Sequence, residues 1–220
     1  MSQIPQLLSG NRLTHDAVSE KQWVSRSPGK YAVISEDFIG QGALPATVTA
    51  GGTEFVSHSG DAGTDAHVFS GVNGGTYKLL TSNHATVKEV AVLLPTAVID
   101  VSKNPIFEAR VAITKGTPHA GDVFIIGLAN ARNDTTDSIT HHAVFKMTGA
   151  NNDILVETDD NTTNTDDKDT GSDWVSGTYY RFKIDMSDLS SVQFFIDDVN
   201  ATTTTMDMSA AGSTLLLPIV

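Results

Sequence analysis

The residues best placed to do chemistry lie in one acidic run, VETDDNTTNTDDKDTGSD, at positions 156–173. It holds seven carboxylates and one lysine in eighteen positions. Asp167, Asp169 and Asp173 alternate around Gly171, and calcium binds Asp and Asn oxygens that converge around a sharp glycine turn. No EF-hand register fits, because no Glu closes the loop. The run is therefore a calcium site, a catalytic acid cluster or an exposed loop whose carboxylates bond to local backbone, and its composition favours the loop.

Nucleophilic and paired-acid catalysis both lack their usual residues. The chain contains no cysteine and no GxSxG elbow. Its glutamates are far apart in sequence, at positions 20, 36, 54, 89, 108 and 157. His141 and His142 are adjacent, so on a strand their rings point to opposite faces and cannot chelate one ion together. We predict no catalytic residue and no cofactor, and therefore that the protein is not an enzyme.

The elements that would position these residues read as strands. Segments 106–113, 178–186 and 191–199 alternate apolar and polar residues, and the last two form a predicted hairpin over 178–199. The predicted inward-facing residues are Phe107, Ala109, Val111, Ile113, Tyr180, Phe182, Ile184, Met186, Val192, Phe194 and Ile196. Segment 123–129, VFIIGLA, is apolar at nearly every position, which suits a strand buried on both faces and equally an ordinary central strand. About a dozen such strands, spaced by turn residues, indicate an all-β, two-sheet antiparallel sandwich.

The order FEARVAI, VFIIGLAN, HHAVFKMTGANNDILVETDDN and GTYYRFKIDMSDLSSVQFFIDDVNA resembles the concanavalin A-like (laminin G-like) jelly roll. The resemblance covers about residues 31–220 and implies a jelly-roll sandwich. Glycosidases of that fold carry a Glu-x-Asp-x-x-Glu strand, which this chain lacks. Lectins of that fold hold sugar near calcium, so a lectin function would depend on the loop at 157–173. The cysteine-free, Thr/Asp/Gly-rich texture is similar to that of tailed-phage head decoration (cement) proteins.

The charge is uneven along the chain. The formal net charge is −12, whereas Arg12, Lys21, Arg26 and Lys30 outweigh two acids and give residues 1–30 a balance of +2. We predict an extended N-terminal arm at 1–30 followed by a jelly-roll domain at 31–220. The arm would bind an acidic partner surface, and its apolar residues for that contact are Leu13, Val18, Trp23 and Val24. The acidic body is a poor partner for nucleic acid.

Together these patterns predict a virion structural protein. It would be a capsid decoration protein that binds the major capsid protein or another virion protein, forms a homo-oligomer, most simply a trimer, and stabilises the particle. The alternative is a carbohydrate-binding, lectin-like module on a phage tail or head fibre. No apolar stretch approaches the length of a membrane span, and no secretory signal is visible. The expected location is the capsid surface, after synthesis in the host cytoplasm.

Overall fold

The computed structural model describes residues 96–114, 122–133, 135–149 and 151–220, together with the backbone of six strands before residue 94. The chain forms two compact units, Met1–Asp37 and Phe38–Val220. In the first unit, β1 (Leu13–His15) pairs antiparallel with β2 (Trp23–Ser25).

The predicted partner-binding arm falls in this first unit. Leu13, Trp23 and Val24 lie on the two short strands. Their side chains, and the whole of Val18, lie outside the described residues. The partner-binding role of the arm therefore stays a prediction.

The second unit is built from strands. The early ones are β3 (Val56–Ser59), β4 (Ala66–Phe69), β5 (Tyr77–Leu80), β6 (Val90–Leu93), β7 (Ile99–Asp100) and β8 (Ile106–Ala112). The later ones are β9 (Val123–Ala129), β10 (His141–Thr148), β11 (Asp153–Asp160), β12 (Asn164–Asp173), β13 (Tyr179–Asp185), β14 (Gln193–Ile196), β15 (Val199–Asn200) and β16 (Leu215–Ile219). Short 3-10 turns occupy Val101–Lys103, Thr136–Ser138 and Ser209–Ala211.

Most of the strands belong to two sheets. The eight-stranded sheet has the order β12-β11-β10-β9-β16-β6-β3, with β7 also pairing β16. The four-stranded sheet has the order β15-β14-β13-β8, and β4 pairs with β5 separately. Every pairing in the described strands is antiparallel, so the predicted all-β, two-sheet architecture is confirmed.

The main core lies between the two sheets. The Phe145 ring of the large sheet sits 4.7 Å from the Phe182 ring and 5.1 Å from the Phe194 ring of the small sheet, centroid to centroid. Tilted and edge-on contacts at these distances are the favourable arrangements for aromatic rings. Every residue predicted to face inward belongs to this cluster or packs against it. The hairpin prediction is confirmed too, with Phe182 opposite Ile196 in β13 and β14. Trp174, just before β13, is also buried in the core.

Gly127 on β9 is closely surrounded, both by the neighbouring strand β10 and by a side chain of the other sheet. A Cβ atom at this position would lie 2.3 Å from the backbone oxygen of Ala143 and 2.9 Å from Cδ1 of Ile184. Neither neighbour can move freely, since one is backbone of the adjacent strand and the other is packed in the core. The residue at 127 must therefore be glycine because of space.

The acidic run is where the sequence prediction of an exposed loop was wrong. Residues 153–160 and 164–173 form β11 and β12, joined by a tight turn at 161–163. The carboxylates do bond to local backbone, as expected: Asp160 Oδ1 accepts from the amides of Thr162 and Thr163 at 3.0 and 2.7 Å. These bonds stabilise the turn, and the ladder with β10 then extends the run as paired strands despite its low β-propensity.

Candidate functional site

The eight-stranded sheet is covered on both of its faces. Its inner face packs in the main core, and its outer face carries a second apolar cluster that includes Ala129, Ile139, Leu217 and Ile219. β9 contributes to both clusters, which confirms that this strand is buried on both sides. Some polar residues of the outer face are buried as well.

Two of those polar residues, His142 and Glu157, come from neighbouring strands. In the β10–β11 register His142 pairs with Asp159 and Val144 pairs with Glu157, so His142 and Glu157 share the outer face as diagonal neighbours. Their exposed fractions are 1% and 0%. A buried imidazole and a buried carboxylate require partners, because leaving them unpaired costs free energy.

A β-bulge in β12 brings two more acids to the same place. Val156 pairs with Lys168 and Thr158 pairs with Thr165, so β12 has one extra residue opposite Glu157. The residues opposite Glu157 are thus Asp166 and Asp167, and Asp167 has a positive φ of 49°. Bulges of this kind re-aim side chains, and here the two aspartates contact different partners.

Lys146 on β10 neutralises one side of the group. Its Nζ atom donates to Glu157 Oε1 at 2.6 Å and lies 2.9 Å from Asp167 Oδ1. Burial opposes the charge of Lys146, but these two carboxylates outweigh it and raise its pKa. Burial also raises the pKa of Glu157 to about 7, against the opposing effect of the Lys146 ammonium.

His142 is held in one tautomer by the backbone. Its Nδ1 lies 2.8 Å from the carbonyl oxygen of Ile139, and a carbonyl can only accept, so Nδ1 carries the proton. Burial lowers the pKa of His142 and keeps the ring neutral. Nε2 is therefore a bare lone pair, and it faces Glu157 Oε2 at 3.9 Å.

A third acid reaches the group from the 3-10 turn at Thr136–Ser138. Asp137 in that turn, Glu157 and Asp166 each place a carboxylate oxygen within 4.8 Å of the others. In the part of the chain that the structure describes, this is the one group of three or more such side chains close enough to share an ion. His142 lies outside this mutually close set, and its Nε2 atom is 3.9 Å from Glu157 Oε2. We call His142, Glu157, Asp166 and Asp137 together the outer-face cluster.

The sequence-predicted calcium candidates do not form this cluster. Asp167 bonds to Lys146, and the exposed Asp169 accepts from the amide of Gly171 at 2.7 Å. Asp173 lies at the other end of β12, paired with Asp153. Among the described residues the three are not brought together as an ion-sized group.

The sequence did not reveal the outer-face cluster, because its members lie far apart along the chain and the composition of the acidic run predicts a loop. One sequence signal was usable. In strand alternation Glu157 shares a face with the apolar Leu155, and His142 shares a face with the apolar Val144. That pattern indicates a covered outer face with two ionisable residues in it. No comparable signal in the sequence indicates the bulge, which brings Asp166 to the outer-face cluster while the calcium candidate Asp169 lies outside it.

The outer face of the four-stranded sheet has a different character. Arg110 of β8 and Arg181 of β13 stand directly opposite each other. Two residues along, Lys183 stands opposite Glu108, and its ammonium lies 3.4 Å from Asp185. The Arg110 guanidinium lies 4.6 Å from the ring centre of Tyr179, and the Lys183 ammonium lies 5.0 Å from that of Phe195. Arg181 also forms an ion pair with Asp198. We call these residues the basic sheet face.

A cleft of about 500 Å³ lies between the β12 edge and the β14–β15 turn. Its lining includes Asp173, Tyr180, Asp197 and Asn200. Much of its polar surface is already engaged: Tyr180 Oη accepts from the Val175 amide at 3.0 Å, and Asn200 Nδ2 donates to a glutamine at 2.7 Å.

Comparisons with known proteins were made for the whole chain. No protein-family model and no curated protein matches it. One similar solved structure is a carbohydrate-binding module, CBM66, from Bacillus subtilis, with 9% identity and a TM-score of 0.43, covering 71% of this chain and 86% of that one. Another is a conserved carbohydrate esterase from the Shiga toxin-encoding bacteriophage phi24B, with 13% identity and a TM-score of 0.42, covering 80% and 93%. Both TM-scores are below 0.5, so neither likeness indicates a function for this chain.

The described part of the chain contains no helix long and apolar enough to cross a membrane.

Proposed function

We propose that the protein is a structural component of a virus particle, a decoration protein that attaches to the capsid surface. The supporting resemblance rests on segments that are now strands β8 to β11, β13 and β14 of a two-sheet sandwich. The observation that carries the proposal is the basic sheet face. It places two exposed arginines side by side on the surface of an acidic protein.

The basic sheet face is unfavourable for the isolated domain. Like charges directly opposite on antiparallel strands destabilise a sheet, and Arg110 and Arg181 are such a pair. Asp198 relieves one of them and the Tyr179 ring contacts the other, yet both side chains remain exposed. An acidic partner surface would turn this cost into attraction and would guide association.

Binding to the purified source particle tests the proposal. We expect the chain to co-purify with the particle at a copy number tied to capsid symmetry, three copies at a site if the oligomer is a trimer. In co-sedimentation, the double variant Arg110→Glu with Lys183→Glu should bind at least about ten times more weakly, since charge pairs at an interface are worth more than about 1.4 kcal/mol.

The matched control is Lys103→Glu. Lys103 is an exposed cation in the turn Val101–Lys103, outside the basic sheet face, and the substitution changes its charge in the same sense. Full binding by the double variant, or equal loss in the control, would refute docking through the basic sheet face. Absence of the chain from the particle would refute the virion assignment itself.

A carbohydrate-binding module is the second candidate, and the cleft beside Tyr180 favours it. An aromatic ring among Asp and Asn side chains is a suitable lining for a sugar. The engagement of its polar atoms within the protein weighs against it. Glycan-array binding that is abolished by Asp173→Asn and retained by the Arg110→Glu, Lys183→Glu double variant would establish this function instead.

A further inference from the structure

We propose that the outer-face cluster binds a divalent transition-metal ion, with His142 Nε2 and carboxylate oxygens of Glu157, Asp166 and Asp137 as its ligands. This site is separate from the basic sheet face and does not depend on the proposed function.

The outer-face cluster contains buried polar atoms that have no hydrogen-bond partner among the described residues. His142 Nε2, Glu157 Oε2 and Asp166 Oδ1 are all buried, and none has a hydrogen-bond partner among the residues the structure describes. His142 Nε2 can only accept, because the His142 proton is on Nδ1, and the two carboxylate oxygens accept when their groups are ionised. Buried acceptors that face one another repel, and a shared cation converts that repulsion into attraction.

The second argument is the orientation of His142. A metal-binding histidine nearly always donates its other ring N–H to a carboxylate or a backbone carbonyl, which fixes the ring and its tautomer. The Nδ1 contact with Ile139 is of this kind. The ring is 99% buried and directs its free nitrogen towards the carboxylate of Glu157.

The third argument is distance. The 3.9 Å between His142 Nε2 and Glu157 Oε2 is too long for a hydrogen bond, so a shared proton does not account for it. Two ligands about 2.1 Å from one ion are separated by about 3 to 3.6 Å. A shift of a few tenths of an ångström would close the pair around a metal.

The ligand types identify the class of ion. Calcium and magnesium prefer oxygen alone, whereas imidazole nitrogen together with carboxylate oxygen suits Zn²⁺ and related transition metals. The ion would join β10, β11, the bulge of β12 and the turn at Thr136–Ser138. In a chain without cysteine, such an ion would cross-link the β11–β12 hairpin and stabilise it, as a disulfide does in other proteins.

Zinc binding by the full-length chain tests the inference. The protein is treated with EDTA, dialysed free of chelator at neutral pH, titrated with ZnCl₂ by calorimetry, and melted with and without the metal. We expect one Zn²⁺ per chain and a Tm higher by about 5 to 10 °C at a metal concentration near one hundred times Kd.

Two variants and a matched control locate the site. His142→Gln and Asp166→Asn should each weaken Zn²⁺ binding at least about tenfold. Asp169→Asn, which removes an exposed carboxylate on the same strand, should bind as the parent does. No saturable binding, unchanged binding in both cluster variants, or a Tm that rises with CaCl₂ only while Asp169 is present would overturn the proposal.

A measurement on the parent protein covers the case in which a variant fails to fold. In ¹⁵N spectra of the seven histidines, Zn²⁺ should move the Nε2 resonance of His142 and leave its Nδ1 protonated. If Zn²⁺ moves other histidines and leaves His142 unchanged, the metal binds elsewhere and the proposal is wrong.

Discussion

Replacing Glu157 by Gln should change how the stability of the metal-free protein depends on pH. Glu157 is fully buried, and burial raises its pKa from an ordinary 4.5 to about 7 in spite of Lys146. The folded protein therefore holds a proton at Glu157 over a pH range in which the unfolded chain has lost it. Glutamine keeps the shape of the side chain and removes the titration.

The sign and size of the effect follow from linkage. A carboxyl whose folded-state pKa is raised stabilises the fold fully below its unfolded pKa, and this contribution is lost as pH rises through the folded value. For a pKa raised from 4.5 to about 7, the loss between pH 4.5 and pH 8 is about 3 kcal/mol, at about 1.4 kcal/mol per pH unit. Relative to the parent, Glu157→Gln should thus gain about 3 kcal/mol across that range.

Urea unfolding in EDTA at pH 4.5, 5.5, 6.5, 7.5 and 8 measures the difference directly. Other carboxyl groups titrate in both proteins and cancel when the two curves are subtracted. Glu108→Gln is the matched control, since Glu108 is exposed on β8 and should give a curve parallel to the parent. A Glu157→Gln curve that is also parallel to the parent would show that Glu157 titrates normally and that the outer-face cluster is open to water.

Three further outcomes are expected. Phe182→Ala and Phe194→Ala should each lower the free energy of unfolding by about 3 to 5 kcal/mol through lost burial and a cavity, while Phe195→Ala on the outer face should cost far less; equal effects in urea unfolding would place the wrong face in the core. Gly127→Ala should destabilise by about 1 to 3 kcal/mol or more, and an unchanged Tm would mean that β9 and β10 separate easily. Deleting residues 2–26 should leave the sandwich folded by circular dichroism but weaken attachment to the particle, and undiminished attachment would remove the arm from the mechanism.

The sandwich could be predicted from the sequence because its strands are half-buried. In β8, β13 and β14 one face contacts water and the other contacts the core. Apolar and polar residues therefore alternate along each strand and can be recognised in the sequence. The continuous apolar run of β9 was compatible with burial on both sides, which the structure shows, and equally with an ordinary central strand. Strand β12 escaped prediction since its residues, NTDDKDTGSD, are turn formers by propensity, and the ladder with β11 overrides them.

The candidate site was less accessible to sequence reasoning. Its ligands come from a turn and three strands, and their convergence depends on register and on a one-residue bulge. Neither quantity can be read from spacing along the chain. Because His141 and His142 are adjacent, the sequence predicted that their rings point to opposite faces of a strand. It could not show that the His142 ring would face Glu157.

Strand β16 has a consequence for how the protein is made. It lies between β9 and β6 in the large sheet, and about 120 residues separate Leu93 of β6 from Leu215 of β16. At about 5 to 20 residues per second of translation, β6 waits roughly 6 to 24 s for its neighbour to be synthesised. During that time the edge of β6 that later pairs with β16 is open, and other chains or a chaperone could bind to it. Added chaperone should therefore raise the yield of correctly assembled sheet, whereas slower translation should lengthen the exposure of that edge and favour aggregation.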